Sequence, residues 1–470
     1  MRHCLLASAA VAALVIAAPP AAACTLSALT LTCAAPGTFP QQSSALDNLT
    51  VVVEAGATVE NTAANTPALR LSGNTTAVKN AGTIRNPNTN NNNANNAIQG
   101  TGTGLAVTNH GLIESGDRGI HITGGSGGFS LENHGTIRSR RQAVRTENAL
   151  LLPGSRVENW GTIESQTDRA VQLRGRGSTV INHGTLIGGD EVIEARDDFL
   201  LTNTGTIRAR DGAVDADGAQ FASGRVFNFG LIEGTDDGLD MDEGEVFNAA
   251  TGVIRSRDLP TGEGNGIDID EVFDNGVTAD LRPSGPVTIL NEGLIEGPRA
   301  IGSDPAATNS VTIRNSGTLR GTSGTAVALA PGQTGVLWLT QAGVIDGDVR
   351  FAGGDDTVHF SDLRPGAGIM GLFDGGAGTD TVHFEYLIGD VVSLTQVGDL
   401  IALALDIRAD TLFAASFRNF EFWSFSDTDP LTTEALVARF AQPGPVPLPA
   451  ALPMLLAALG GIALLRRRRA

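Results

Sequence analysis

A five-residue phrase returns along the middle of the chain: NAGTI at Asn80, NHGLI at Asn109, NHGTI at Asn133, NWGTI at Asn159, NHGTL at Asn182, NTGTI at Asn203, NFGLI at Asn228, NEGLI at Asn291 and NSGTL at Asn315, with a variant, NAATGVI, at Asn248. Successive asparagines stand 20 to 29 residues apart, except for one interval of 43 that is close to two periods. A repeat of that length is one turn of a solenoid, because a unit so short buries its apolar face only against its neighbours. An apolar pair ends 11 or 12 residues after the asparagine, at Ile120, Val144, Val171, Ile193, Val214, Leu239 and Val327. Each unit therefore carries two short β-branched stretches separated by Gly, Asp and Asn, which turn chains. Helical periodicity is confined to the two ends.

Two strands per coil with variable loops predict an all-β chain folded as a right-handed parallel β-helix. Side chains such as Ile137 and Val144 point inward, and about 13 to 15 coils between residues 45 and 385 make a rod of about 60 to 70 Å. The asparagine is expected to support its turn by local hydrogen bonding or a left-handed backbone, with the glycine relieving crowding. The expected divisions are a signal peptide at 1–23, an N-terminal cap at 24–50, β-helix repeats at 51–390, a capping region at 391–440 and a sorting tail at 441–470. The capping region holds Phe413, Phe417, Phe420, Phe422, Trp423 and Phe425, apolar bulk to cover the last coil's open edge. The phrase Asn-x-Gly-Thr-Ile with a following Ala-Val or Gly-Ile resembles autotransporter passenger domains and related pectin-lyase-like β-helices. That resemblance implies an architecture and no particular activity. No series of alternating ten-residue strands follows, so no translocator barrel is expected.

The ends read as addresses. Arg2 and His3 precede an apolar run from Leu5 to Ala18, then Pro19, Pro20 and Ala21–Ala23, the three parts of a secretory signal. Cleavage after Ala23 leaves Cys24 first, free to close a small disulfide loop with Cys33 in an oxidising compartment, or to be lipidated. At the other end, Leu448 to Leu465 are 18 uncharged residues, about 27 Å as a helix and enough to cross a membrane. Arg466 to Arg469 would hold that end in the cytoplasm. Val446, Pro447, Leu448, Pro449 and Ala450 directly before the span resemble the VPLPA variant of the PEP-CTERM sorting signals. That resemblance implies an exosortase-type processing enzyme as partner, a membrane anchor before processing, and then the cell surface or extracellular matrix. A permanent anchor is the simpler alternative.

The formal net charge is −19, which repels nucleic acid and attracts divalent cations. Three cysteines exclude a disulfide scaffold or a cysteine-rich zinc module. No phosphate loop, Ser nucleophile elbow, HExxH or dinucleotide fingerprint occurs. Aligning the apolar pairs at Ile193, Val214, Leu239 and Ile267 brings Glu194, Asp215, Asp240 and Asp268 into one outward column, and Arg196, Asp217, Asp242 and Asp270 into another. Carboxylates about 5 Å apart are unfavourable without counter-charge. Asp215, Asp217, Asp240, Asp242, Asp268 and Asp270 are thus candidate Ca²⁺ ligands, the alternative being a solvated acidic face. His110, His134 and His183 fall on coils that are not all neighbours and form no metal triad. GGDDTVHF at Gly353 and GGAGTDTVHF at Gly375 are related; the second fits the RTX nonapeptide, and both are read as ordinary coil turns. The expected function is non-enzymatic: a structural or adhesin-like matrix component whose partners include an extracellular polysaccharide or surface ligand. The alternative is a polysaccharide lyase or hydrolase, since the enzymes of this architecture act through carboxylates on one face.

Overall fold

The computed structural model describes residues 23–89, 94–124, 128–149, 154–257, 264–270, 285–408 and 411–441. Each coil has three strands rather than two. The asparagine phrase bends the chain between a strand that ends in Asn and a strand that begins Thr-Ile, and the later apolar pair forms the third. The sequence reading had fused the first two because only two residues, the x and the Gly of the phrase, separate them. Three parallel ladders result, here called faces A, B and C. Face A runs unbroken from Thr30–Cys33 through Ala77–Asn80 and Thr179–Asn182 to Phe422–Phe425. The ladder therefore enters both segments expected to be caps. Its last coil is interrupted by a hairpin, Val391–Val397 with Leu400–Arg408, before 416–418 rejoin face C and Phe422–Phe425 rejoin face A.

The core is three apolar columns. Face A contributes Val78, Val107, Leu131, Val157 and their equivalents, face B contributes Ile84, Ile113, Ile137 and Ile163, and face C contributes Ile98, Ile120, Val144 and Val171, all essentially inaccessible. In-register stacking of β-branched residues fits the pleat, and each coil buries what its neighbours leave open.

The asparagines do more than support local turns. Asn80, Asn109, Asn133, Asn159, Asn182, Asn203, Asn228, Asn248, Asn291 and Asn315 all point inward, at 0–1% exposure. Each Nδ2 from Asn80 to Asn291 donates to the Oδ1 of the next at 2.8–2.9 Å. The second amide hydrogen reaches the carbonyl of the following glycine and a carbonyl of the next coil, as in Asn159 to Gly161 and Thr185, both 3.2 Å. None of these asparagines is left-handed. The glycine is required by space: a Cβ on Gly161 would lie 2.0 Å from the carbonyl oxygen of Gly135 in the previous coil.

The ladder ends where its column turns apolar. Val53 precedes Asn80, whose Oδ1 is buried without a partner. Beyond Asn315 the column continues as Leu339, Phe360, Phe384 and Phe425, with the last three rings stacked at 4.9 and 5.3 Å. Face B carries a second ordering device on its outer side. Glu60, Arg85, Glu114, Arg138 and Glu164 stand in register on successive coils, and so do Glu233, Arg255, Glu296, Arg320 and Asp346. Sign alternates at every step within each run, with ion pairs such as Arg85–Glu60 at 2.9 Å and Arg138–Glu114 at 2.7 Å. Adding or removing one coil would set like charges side by side.

Replacing Asn182 by Val should cost about 2–4 kcal/mol, because it leaves an Nδ2 hydrogen of Asn159 buried without its acceptor and takes a donor from the buried Oδ1 of Asn203. Asn80→Val should cost about 1 kcal/mol, since it moves the ladder's start by one step and leaves one orphan acceptor, as before. Chemical denaturation of the two variants checks the ordering; equal losses would contradict it.

Candidate functional site

Face C is unlike the other two because its outward residues are also covered. The residue that follows the inward apolar position forms the column Gln99, His121, Arg145, Gln172, Glu194, Gln220, Asp240 and Asp268. Two residues before the apolar position lie Asn96, Arg118, Gln142, Arg169, Glu191, Asp217, Asp237, Asn265 and Arg299. Between them the chain keeps small residues, since a Cβ on Gly218 or Gly238 would lie 2.5 Å from the carbonyl oxygen of the next coil. Arg118, His121, Gln142, Gln172, Asp217, Asp237 and Asp240 are all buried.

This register corrects the expected carboxylate ladders. Ile193 stacks on Ala219, not on Val214, and Ala219 stacks on Leu239. Val214 is 83% exposed in a longer turn, and Asp215 beside it is exposed in a left-handed conformation with φ 60°. Gln220 takes the place expected of Asp215, and Asp217 moves to the column of Glu191 and Asp237. Arg196 accordingly does not share a column with Asp217. Asp240 and Asp268 do stack directly. Asp242 and Asp270 follow them on the same two coils, Asp242 buried and Asp270 half-buried. The solvated alternative does not hold for Asp217, Asp240 and Asp242, which are buried. Asp236 and Asp237 were not singled out from the sequence; the density of Asp in TDDGLD was the available sign.

The carboxylates bond from coil to coil. Asp217 Oδ1 accepts the Asp237 N–H at 3.0 Å, and Asp237 Oδ1 accepts the Asn265 N–H at 2.5 Å. Asp240 Oδ2 accepts Gln220 Nε2 at 2.6 Å. Asn265 links the two columns, donating to Asp268 Oδ1 at 2.8 Å and accepting from Arg299 Nε at 2.8 Å. Asp217, Asp236 and Asp237 each offer an oxygen within 4.8 Å of the others, a set able to hold a cation. Asp215, Asp236, Asp237, Asp268, Asp304, Arg257 and Arg299 line a cleft of about 990 Å³.

Burial, reinforced by neighbouring carboxylates, pushes Asp217 up to about 8 and Asp268 up to about 7, and holds Asp237 and Asp240 well above the usual carboxylate range. Toward the N-terminal end the same face is basic. Burial and Arg118 lower His121 to about 4, so it is neutral at physiological pH while bonding Glu147 at 2.9 Å. Arg169 joins the halves, pairing with Asp190, Glu191 and Glu194 at 2.5–2.7 Å.

Elsewhere, Cys24 and Cys33 are disulfide-bonded. The sorting residues Val446, Pro447, Leu448, Pro449 and Ala450 lie outside the described residues, as does the expected signal peptide apart from Ala23. Among the described residues no helix is long and apolar enough to cross a membrane. The x position of the phrase forms an outer ring stack, with His110–His134 at 4.7 Å and Trp160 at 3.8 Å from His183. In the two related glycine turns Asp356 and Asp380 are buried, and the Asp356 N–H donates to Asp380 Oδ1 at 2.8 Å. No protein-family model, curated protein or solved structure matches the chain.

The acidic columns make stability depend on pH. A carboxyl whose pKa is raised by folding contributes stability that is fully present below its unfolded value and lost as pH rises through its folded value. His121 and His359, both lowered to about 4, act in the opposite sense, but their unfolded forms lose their last protons by about pH 7.5. Between about pH 6.5 and 8.5 the larger set of raised acids outweighs them, so the melting temperature should fall over that window. Asp217→Asn should flatten the fall. Millimolar Ca²⁺ at pH 8.5 should restore the wild-type melting temperature by mass action and do little for Asp217→Asn/Asp237→Asn. A pH-independent melting temperature from 6.5 to 8.5 would contradict the burial of these groups.

Proposed function

We propose that the chain is exported and works at the cell surface as a structural, adhesin-like component of an extracellular matrix, with its tail processed by an exosortase-type enzyme. The observation that carries this reading is the unbroken face A ladder from Thr30–Cys33 to Phe422–Phe425. A chain whose whole described length is one stack presents long, regular faces, and such faces suit extended ligands. Aromatic and apolar side chains are left exposed in the outer columns of face A and its turn. Trp160 is 51% exposed, and Phe227 stacks on Phe247 and Leu290 in register. An extracellular polysaccharide or another surface polymer fits these columns better than nucleic acid, which the negative charge disfavours. The disulfide is supporting: such bonds persist in oxidising compartments.

The acidic cleft supports a second reading, a polysaccharide lyase or hydrolase. Asp268, pushed up to about 7, and Asp237, held well above the usual carboxylate range, lie in one cleft with Arg299 and Arg257, and titratable groups gathered in a cleft serve as acids and bases.

Fractionation of the native host with intact-mass measurement tests the first reading. The mature protein should be found in the surface or extracellular fraction, begin at Cys24 and lack the span after the VPLPA motif. Pro447→Ala/Pro449→Ala should be exported with the tail retained. A cytosolic chain starting at Met1 would overturn the proposal. Release of unsaturated or reducing sugars from a uronate polymer by wild type, and not by Asp237→Asn/Asp268→Asn, would establish the second reading instead.

A further inference from the structure

We infer that two copies of this chain join end to end, through antiparallel pairing of the strand Val391–Val397 with itself. This strand is the outer member of the cap. It pairs with Leu400–Arg408, which pairs with Thr411–Arg418, which joins face C at 416–418. Among the described residues its other side pairs with no strand. The helix Thr433–Phe440 packs beside it, yet Val392, Ser393, Thr395, Gln396 and Val397 stay exposed, Val392 at 54% and Val397 at 74%.

Protein edges are normally protected by charge, proline, shortness, a bulge or a covering element. Here the seven residues VVSLTQV carry no charge and no proline, in a chain that is 18% charged, and the one bulge is confined to the start of the strand. A bulge lies between Val391 and Ser393, and the register from Ser393 to Val397 is regular. An edge strand of this kind offers alternate N–H and C=O groups to another extended segment.

The order of the side chains selects a second copy as that segment. With Leu394 at the two-fold axis, antiparallel pairing sets Leu394 against Leu394 and Ser393 against Thr395, and brings the bulged Val391–Val392 segment to Gln396 and Val397. A strand whose central residues read nearly the same in both directions, with Val392 against Gln396 the one unlike position, is close to self-complementary about a two-fold axis, and such an interface is isologous. Each chain presents this edge once, so the assembly closes at two copies and doubles the length of the rod.

Sedimentation velocity of the full chain in mild detergent tests the inference. Wild type should sediment as a dimer. Ser393→Lys/Thr395→Lys, both at exposed positions, should be monomeric, because lysine then faces lysine across the pair. Ser393→Glu/Thr395→Glu should likewise be monomeric, and mixing the two variants should restore a dimer, which a misfolded variant cannot do. A monomeric wild type, dimers persisting in the lysine variant, or no recovery on mixing would each overturn it.

Discussion

The side-chain amide of asparagine is a donor and an acceptor on one rigid group, and the stacking of this solenoid depends on that. A column of buried hydroxyls or carboxylates would lack one partner or carry charge. A column of amides spaced by the strand separation satisfies itself, each Nδ2 meeting the next Oδ1. The remaining amide hydrogen gives the bend carbonyls a second donor, as at Gly161, whose oxygen also accepts the Thr185 N–H. Each asparagine therefore fixes the bend of its own coil and the height of the next. Slippage by one residue would push an amide outward and bury a polar neighbour without partners.

The same logic explains where the column changes. At the N-terminal start the asparagines give way to Val53 and Cys33, and the chain accepts one orphan oxygen on Asn80. At the C-terminal end Leu339 and the Phe360, Phe384 and Phe425 stack replace hydrogen bonding with apolar area. That bulk leads into the ring cluster around Phe417 and Trp423, which meet at 5.1 Å. Face C follows a different rule. Many of its outward residues are buried, so charge there must be matched coil by coil. Arg169 and its acidic neighbours achieve this, whereas burial holds the carboxyls of Asp217 and Asp240 above the usual range.

The repeating phrase made the solenoid and its apolar columns legible, because Asn-x-Gly-Thr-Ile joins a β-branched pattern to a turn at a fixed offset. Three features escaped it. A two-residue bend leaves no gap in the hydrophobic pattern, so the first two strands of each coil read as one. Ala219 is weakly apolar and Val214 stood at the expected distance, so one longer turn displaced Asp215 and Asp217 from their real columns. The alternating charges of face B are invisible along the chain, since residues 25 to 29 apart, such as Glu60, Arg85 and Glu114, become neighbours only once the register is known. Of the candidate site, the acidic content of these coils was legible; its burial was not, because which acids share a column depends on turn lengths, such as that of the turn holding Val214, that follow no repeat.

The direct test of this account is hydrogen exchange of side-chain amides in protein labelled with ¹⁵N-asparagine. The amide groups of the ladder from Asn80 to Asn315 should remain protonated long after exposed ones, such as those of Asn48 and Asn74, have exchanged. Protection should be greatest in mid-ladder and least at its ends, because local opening begins there. Exchange of all asparagine side chains at one solvent-limited rate would mean that the buried ladder does not exist, and the account of coil stacking would fail with it.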